Sequence, residues 1–370
     1  MNAKKTLALL IFKYFPYGGL QRDFLEVAKN ILKRDVDIKI LTGSWEGPIP
    51  EGMEVKELKV RGFSNHSKNK EFYKQAKKEL EKIKPDLVFG FNKMPELDIY
   101  LAADTCFKFF SKSKNPLYKF TPRYKAFMDY ERKVFGIDTR TKSLLLNKKQ
   151  EEEYSLEYKT DKSRLTIIPP GLSQTWKKEA EGASIKKELN INDSDLLLLF
   201  VGSSFQRKGL DRAIKAIAYN QKSEKQNVYL AVIGKDDHNP YLRLAKNLKV
   251  DKNVYFLGPR DDVPKIMASS DLLIHPAREE AAGNVIIEAM ISELPVLTCE
   301  EVGFSSYVKD YDAGLITSNP FSQEELNNFV LKMSNELHLY RNNLVGLRNN
   351  DLFFSRFDFI GDFIQKELYG

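Results

Sequence analysis

The chain of 370 residues has only two cysteines, Cys106 and Cys299. Two thiols cannot build a disulfide framework, so a cystine-stapled scaffold is excluded and both read as ordinary thiols of a reducing compartment. Also missing is any run approaching the roughly 18–20 apolar residues that a membrane-spanning helix needs. The N-terminal stretch comes nearest, with Lys4 and Lys5 ahead of Leu7-Ala8-Leu9-Leu10-Ile11-Phe12. That run stops at Lys13 with no small-residue cleavage site behind it, so it reads as a first β-strand and not as a signal peptide. No internal repeat of roughly 20–50 residues and no low-complexity tract is found. These absences lead us to expect a cytoplasmic protein that no helix anchors.

What is present is globular: 42% of the residues are apolar and 29% charged. The length suits two α/β domains of ordinary size, each with its own core. A net charge of +7 favours anionic partners and leaves nucleic acid, acidic lipid and nucleotide phosphates all open.

Short apolar runs alternate with helical patterns throughout. Strands are expected near 7–12, 38–42, 87–91, 144–147 and 165–168, then near 196–201, 228–233, 254–257, 272–275 and 296–298. Helices are expected over about 20–32 and 210–219, which implies parallel sheets covered on both faces. The seam falls at Pro169-Pro170-Gly171, where two prolines and a glycine break both kinds of structure. The expected fold class is α/β, with two facing, Rossmann-like, doubly wound domains over residues 1–168 and 169–345. Ser322 and Glu325 form a capping-box pattern. The aromatic-rich end, Phe353 to Tyr369, reads as a closing helix within 346–370 that packs back on the first domain.

Three segments carry chemistry. In His275-Pro276-Ala277-Arg278-Glu279-Glu280-Ala281-Ala282-Gly283-Asn284-Val285-Ile286-Ile287-Glu288, a strand runs through a loop into a helix. The small Ala281, Ala282 and Gly283 let a ligand approach backbone amides at a helix start, which favours a diphosphate. Glu280 and Glu288 bracket that start and suit two hydroxyl-rich groups, a sugar and a ribose. A capping carboxylate and a surface glutamate would give the same pattern. The second segment, Val201-Gly202-Ser203-Ser204-Phe205-Gln206-Arg207-Lys208-Gly209, places Arg207 and Lys208 to neutralise a departing diphosphate, or forms a solvated basic turn. Its glycine spacing and ending are not those of a Walker loop. Third, Tyr17-Gly18-Gly19-Leu20-Gln21-Arg22-Asp23 follows the first strand as an anion cradle or a plain turn, and lacks the third glycine of the dinucleotide fingerprint.

Together these segments resemble the retaining glycosyltransferases with two facing Rossmann-like domains, the GT-B fold. Glu280, Glu288, Arg207, Lys208, Gly18 and Gly19 stand at that family's motif positions. The stretches Lys13 to Phe24, Gly90-Phe91-Asn92-Lys93-Met94-Pro95, Ala102-Ala103-Asp104 and Pro320-Phe321-Ser322-Gln323-Glu324 are similar to the glucosyltransferases of the lipopolysaccharide core. The resemblance covers most of the chain and thins over residues 173–192 and 335–370. Asn284 departs from it, since an apolar residue is common there, and this leaves the donor details open.

The resemblance implies an acceptor-binding first domain, a nucleotide-sugar-binding second domain, and transfer of a hexose, glucose, from a UDP-sugar to an inner-core heptose. It implies no cofactor beyond that substrate and no metal. The Asp-x-Asp triplets at 35–37 and 193–195 precede strands, and the one at 310–312 reads as a solvated turn, while cations and helix amides can hold the diphosphate instead. Arg207, Lys208, Glu280 and Asp104 are the expected catalytic group, Asp104 on the acceptor side, where it could equally be a surface carboxylate. Gly18, Gly19, His66, Ala281, Ala282, Gly283, Asn284, Val285 and Glu288 are the expected donor contacts, with His66 taken as a loop residue. Asn92 and Lys93 are grouped with the same cleft.

Between Phe107 and Phe135 the chain interleaves Lys108, Lys112, Lys114, Lys119, Arg123, Lys125, Arg132 and Lys133 with seven aromatic rings. Only Asp129 and Glu131 oppose that charge. The mixture favours a peripheral seat on an anionic bilayer, where each basic residue contributes roughly 1 kcal/mol, and the resemblance implies that this is the cytoplasmic face of the inner membrane. A solvated helix pair is the plainer alternative, and nucleic acid is not expected. A sugar-nucleotide epimerase of the same shape, or a membrane or nucleic-acid-binding protein without catalysis, are the rival functions.

Overall fold

The computed structural model describes residues 4–16, 18–112, 114–178, 184–221 and 227–370. Its backbone divides into two compact units, Met1–Gly171 with Ser355–Gly370, and Leu172–Phe354.

The first unit is built on β1 (Thr6–Ile11), β2 (Asp37–Thr42), β3 (Glu54–Glu57), β4 (Leu87–Gly90), β5 (Ile99–Ala102), β6 (Lys142–Leu145) and β7 (Leu165–Ile167). They form one parallel sheet in the order β3-β2-β1-β4-β5-β6-β7. Leu7 to Ile11 are fully buried, because helices cover both faces of a parallel sheet and the strand must be apolar on both sides. The second unit repeats the plan with β8 (Leu196–Val201), β9 (Val228–Ile233), β10 (Val254–Gly258), β11 (Leu272–His275), β12 (Val296–Cys299) and β13 (Gly314–Thr317). Their order is β10-β9-β8-β11-β12-β13, again all parallel. Each sheet therefore has one point, β1/β4 and β8/β11, where the winding reverses, and ligands of such sheets bind at the carboxyl ends beside it.

Three strands escape the sequence pattern. In β3, Glu54-Val55-Lys56-Glu57, charge masks the strand, which exists because β2 offers its backbone to an edge that charged side chains then protect. β5 and β13, four residues each, are likewise not among the expected strands.

The last helix, Arg356–Tyr369, packs against the helix Gly19–Leu32 of the first unit. Asn30 donates to Asp358 at 2.7 Å, Arg34 to Gln365 at 3.0 Å, and Lys142 pairs with Glu367 at 2.6 Å. Arg356 itself is almost wholly buried and donates to Asp23 at 2.8 Å and to the Pro169 carbonyl at 3.0 Å. The capping box at Ser322 forms by half. Ser322 accepts the Glu325 amide, but the Glu325 carboxylate turns back to the amide and hydroxyl of Ser318, 2.8 Å from each. Both cysteines are free and buried. Among the described residues no helix is long and apolar enough to cross a membrane.

Candidate functional site

In the second unit two loops leave adjacent strands at the reversal point. After β8 the chain makes one helical turn, Phe205–Lys208, bounded by Ser204 and Gly209 in the left-handed region at φ 62° and 79°. A Cβ on Gly209 would collide with the Pro276 carbonyl of the neighbouring loop, so glycine is what lets the two loops touch. A Cβ on Gly202 would stand 2.6 Å from Lys208 Nζ, so that glycine makes room for the ammonium. The loops are then pinned together. The Arg278 amide donates to the Arg207 carbonyl at 2.7 Å, and the Arg278 guanidinium grips both oxygens of Asp211 at 2.7 and 2.8 Å. Asp236, leaving β9, accepts the Phe205 amide at 2.8 Å.

Held this way, Arg207 and Lys208 reach one carboxylate, at 3.1 and 3.4 Å from Glu280. Burial pushes the Glu280 carboxyl up, but the charges of Lys208 and Arg207 outweigh it and hold the group below its ordinary range. The backbone of this loop is tied to the turn after β12, where Gly303 donates to the Glu280 carbonyl at 3.0 Å and Phe304 to that of Ala282 at 2.8 Å. Gly283 sits at φ 87° just ahead of the helix Asn284–Ile291, and a Cβ there would meet Val302 at 2.6 Å. Ala281 and Ala282 are half-buried, Val285 and Glu288 are buried, and the Asn284 side-chain oxygen is buried with no hydrogen-bond partner among the described residues. Beside the cation turn a pocket of about 420 Å³ opens at the carboxyl ends of β9 and β10, lined by Phe205, Asp236, His238, Phe256 and Pro259 among others. Two cations, a carboxylate, a helix start and an aromatic-walled pocket at one sheet edge can take a diphosphate bearing a flat base and a hydroxyl-rich group.

His275 closes β11 beneath this cluster, wholly buried, with neither ring nitrogen hydrogen-bonded among the described residues. Burial first, then the charges of Lys208 and Arg207, push its pKa down to about 3, against the pull of Glu280. The unfolded chain protonates this ring near pH 6.5 and the native state does not, so the unfolded state binds more protons below that pH. Stability is therefore full above about pH 6.5 and falls as pH drops toward 3, by up to about 1.4 kcal/mol per pH unit. We expect His275→Leu to flatten this slope in urea unfolding between pH 4.5 and 7. Parallel pH profiles for variant and wild type would contradict it.

The first unit gathers its own residues at a carboxyl edge. Gly18 precedes the helix Gly19–Leu32 as its extended N-cap, and Tyr17 lies outside the described residues. Asn92, following β4, accepts the Phe12 amide at 2.7 Å and so steadies the exit of β1. Lys93 donates to the Thr105 carbonyl at 3.1 Å, and Gln150 holds the Asp104 carbonyl at 2.9 Å while the Asp104 side chain stays exposed. His66 is not a loop residue. It lies in the first turn of the helix Asn65–Ile83, its Nδ1 3.1 Å from the hydroxyl of Ser64, which forms a reciprocal capping box with Ser67. The Asp-x-Asp residues Asp37 and Asp195 stand at the amino ends of β2 and β8, away from either edge. A larger cleft of about 680 Å³ opens among Lys108, Arg132, Lys133, Ile137 and Glu157. Lys133 is paired there with Asp129 at 2.9 Å and Lys108 with Glu157 at 3.6 Å. Within the second unit the structure thus joins Arg207, Lys208, Glu280 and the 281–283 loop. In the first it joins Gly18, Gly19, Asn92, Lys93 and Asp104 along one edge. Asp211, Arg278, Asp236 and Glu131 carry no sequence signal, because their partners lie tens of residues away.

The basic segment sorts its rings by burial. Phe107, Tyr118, Tyr124 and Phe127 pack together, and Phe135 stacks on Tyr154 at 3.5 Å. Phe109, Leu117 and Phe120 stay exposed, the last two at 71% and 73%.

The family model for glycosyl transferases group 1 matches residues 182–343. The lipopolysaccharide glucosyltransferase WaaG of Escherichia coli K12 is 40% identical over 331 residues, 88% of this chain and 88% of its own. The crystal structure of WaaG, a glycosyltransferase involved in lipopolysaccharide biosynthesis, superposes with a TM-score of 0.88 at 37% identity, over 97% of this chain and 99% of that one. Anabaena Alr3699/HepE, solved in complex with UDP and glucose, shares the fold at a TM-score of 0.71 and 16% identity, over 98% of this chain and 99% of that one.

Proposed function

This chain belongs to the group 1 glycosyltransferases, on the WaaG branch, and from that premise we propose that it moves glucose from UDP-glucose onto an inner-core heptose of lipopolysaccharide with retention of anomeric configuration. The observation that carries the reading is the convergence of Arg207 and Lys208 on Glu280 at the reversal point of the second sheet. In the reaction proposed, the diphosphate lies against the 281–283 loop and the helix after it, and the two cations turn from Glu280 to the phosphates. The pocket beside Phe205 takes the base, and Glu280 and Glu288 take hydroxyls of the sugar and the ribose. The acceptor oxygen forms its bond to the anomeric carbon on the face from which the phosphate oxygen leaves. That departing oxygen accepts the acceptor's proton, while Arg207 and Lys208 stabilise its charge in place of a metal. Asp104 and Lys93, at the edge of the first sheet, serve the acceptor.

A screen of UDP-sugars with and without truncated lipopolysaccharide tests the whole. We expect turnover with UDP-glucose only when acceptor is present, and an α-linked product by NMR. A β-linked product overturns retention, and conversion of the UDP-sugar without acceptor replaces the reading with an epimerase.

The exposed Phe109, Leu117 and Phe120 beside Lys119, Arg123 and Lys125 support a peripheral seat on the anionic cytoplasmic face of the inner membrane. In co-sedimentation with vesicles, binding should rise with the share of anionic lipid and fall with salt. Binding indifferent to both removes this part of the proposal.

A further inference from the structure

Glu131 opposes the charge of the basic segment in sequence, but in the fold it does not face solvent. It is fully buried on the helix Pro122–Phe135 and collects donors from three other segments. Lys93, from the loop after β4, reaches it at 2.5 Å. The amides of Phe107 and Lys108, which open the next short helix, donate at 2.8 Å each. The Tyr158 hydroxyl, from the helix Lys148–Tyr158, donates at 2.8 Å, and the Cys106 thiol lies 3.7 Å away. Lys93 in turn holds the Thr105 carbonyl next to Asp104.

A buried ion pair is seldom the cheapest way to stabilise a fold, since apolar residues of similar volume do as well or better. This one stands between the segment carrying Phe109, Leu117 and Phe120 and the carboxyl-edge loops carrying Lys93 and Asp104. Burial pushes the Glu131 carboxyl up and Lys93 down, yet their mutual attraction outweighs both, so each stays in its charged form. A carboxylate only accepts, and every neighbour here donates, so no neutral side chain of the same size meets all of them.

We propose that Glu131 is a positioning residue for the acceptor, joining the basic aromatic segment to Lys93 and the Asp104 loop so that the three keep one register. The proposal rests on the acceptor side of the function proposed above. It makes the surface that meets the membrane and the loop that meets the acceptor a single piece, without Glu131 touching either substrate.

The test is steady-state kinetics of the full chain with UDP-glucose and truncated lipopolysaccharide, alongside calorimetric titration with UDP-glucose. Glu131→Gln should raise the acceptor KM at least tenfold and leave donor KM and UDP-glucose affinity within twofold of wild type. An unchanged acceptor KM, or equal losses for donor and acceptor, overturns the proposal. Kinetics well below the Tm of Glu131→Gln separate position from stability: the acceptor KM should stay raised there, and an acceptor KM equal to wild type at that temperature would reduce Glu131 to a structural role. Should Glu131→Gln not fold, Tyr158→Phe removes one donor and should raise the acceptor KM about threefold, and no change overturns the proposal. Wild-type protein that binds no UDP-glucose or transfers to no lipopolysaccharide defeats the proposed function itself, and a normal wild type with a flat Glu131→Gln acceptor KM defeats only this inference.

Discussion

Lys208→Ala should lower kcat with UDP-glucose by roughly 10²–10³-fold while leaving Tm within a few degrees, the scale seen when one preorganised group facing developing charge is removed. Arg207→Ala should cost about tenfold less. Both cations sit on Glu280, but the Lys208 side chain is 16% exposed and that of Arg207 43%. The better-buried charge works at lower effective dielectric and is screened less by water and salt. Gly202 and Gly209 keep Lys208 there, one by leaving space for its ammonium, the other by letting the turn lie against Pro276. Stopped-flow or initial-rate assays over a UDP-glucose range separate turnover from binding. Wild-type kcat in Lys208→Ala would remove the diphosphate from this site and with it the proposed chemistry.

Arg356→Met should destabilise the first unit by roughly 3–5 kcal/mol, because it leaves the buried Asp23 carboxylate without its ion-pair partner. Asp23 lies on the helix opened by Gly18 and Gly19, and Arg356 reaches it across the length of the chain at 2.8 Å. Burial already pushes the Asp23 carboxyl above its ordinary range in spite of the charges of Arg356 and Arg22. The same guanidinium fastens the Pro169 carbonyl at the seam, and its aliphatic stem fills the space where a side chain on Gly171 would go. Amide exchange across the helix Gly19–Leu32 should speed up in Arg356→Met, with the strands of the second unit unaffected. The double change Asp23→Leu with Arg356→Met should recover most of the loss. Unaltered exchange in the single variant would mean that the pair contributes nothing.

Much of this architecture is written in local pattern. Leu196–Val201, Val228–Ile233 and Leu272–His275 stand where apolar runs put them, because a buried parallel strand needs an unbroken run. The Arg207-Lys208 turn and the 281–283 loop are legible because glycine and small residues mark positions that other side chains cannot occupy. The charged strand β3 is not legible, since its partner supplies the reason for it.

The sequence by itself determined the parallel α/β plan, the two basic and acidic loops at strand exits and the family, all of which rest on residues near each other in the chain. Only the tertiary structure decided that Arg278 forks Asp211, that Glu131 is buried and meets several donors, that His66 opens a helix, and that Arg356 is the residue fastening the last helix to the first unit. Apart from the local Ser64–Ser67 cap at His66, these contacts join residues that lie from tens to hundreds of positions apart along the chain. Their partners are chosen by how helices pack on the sheets, and no local period records that choice.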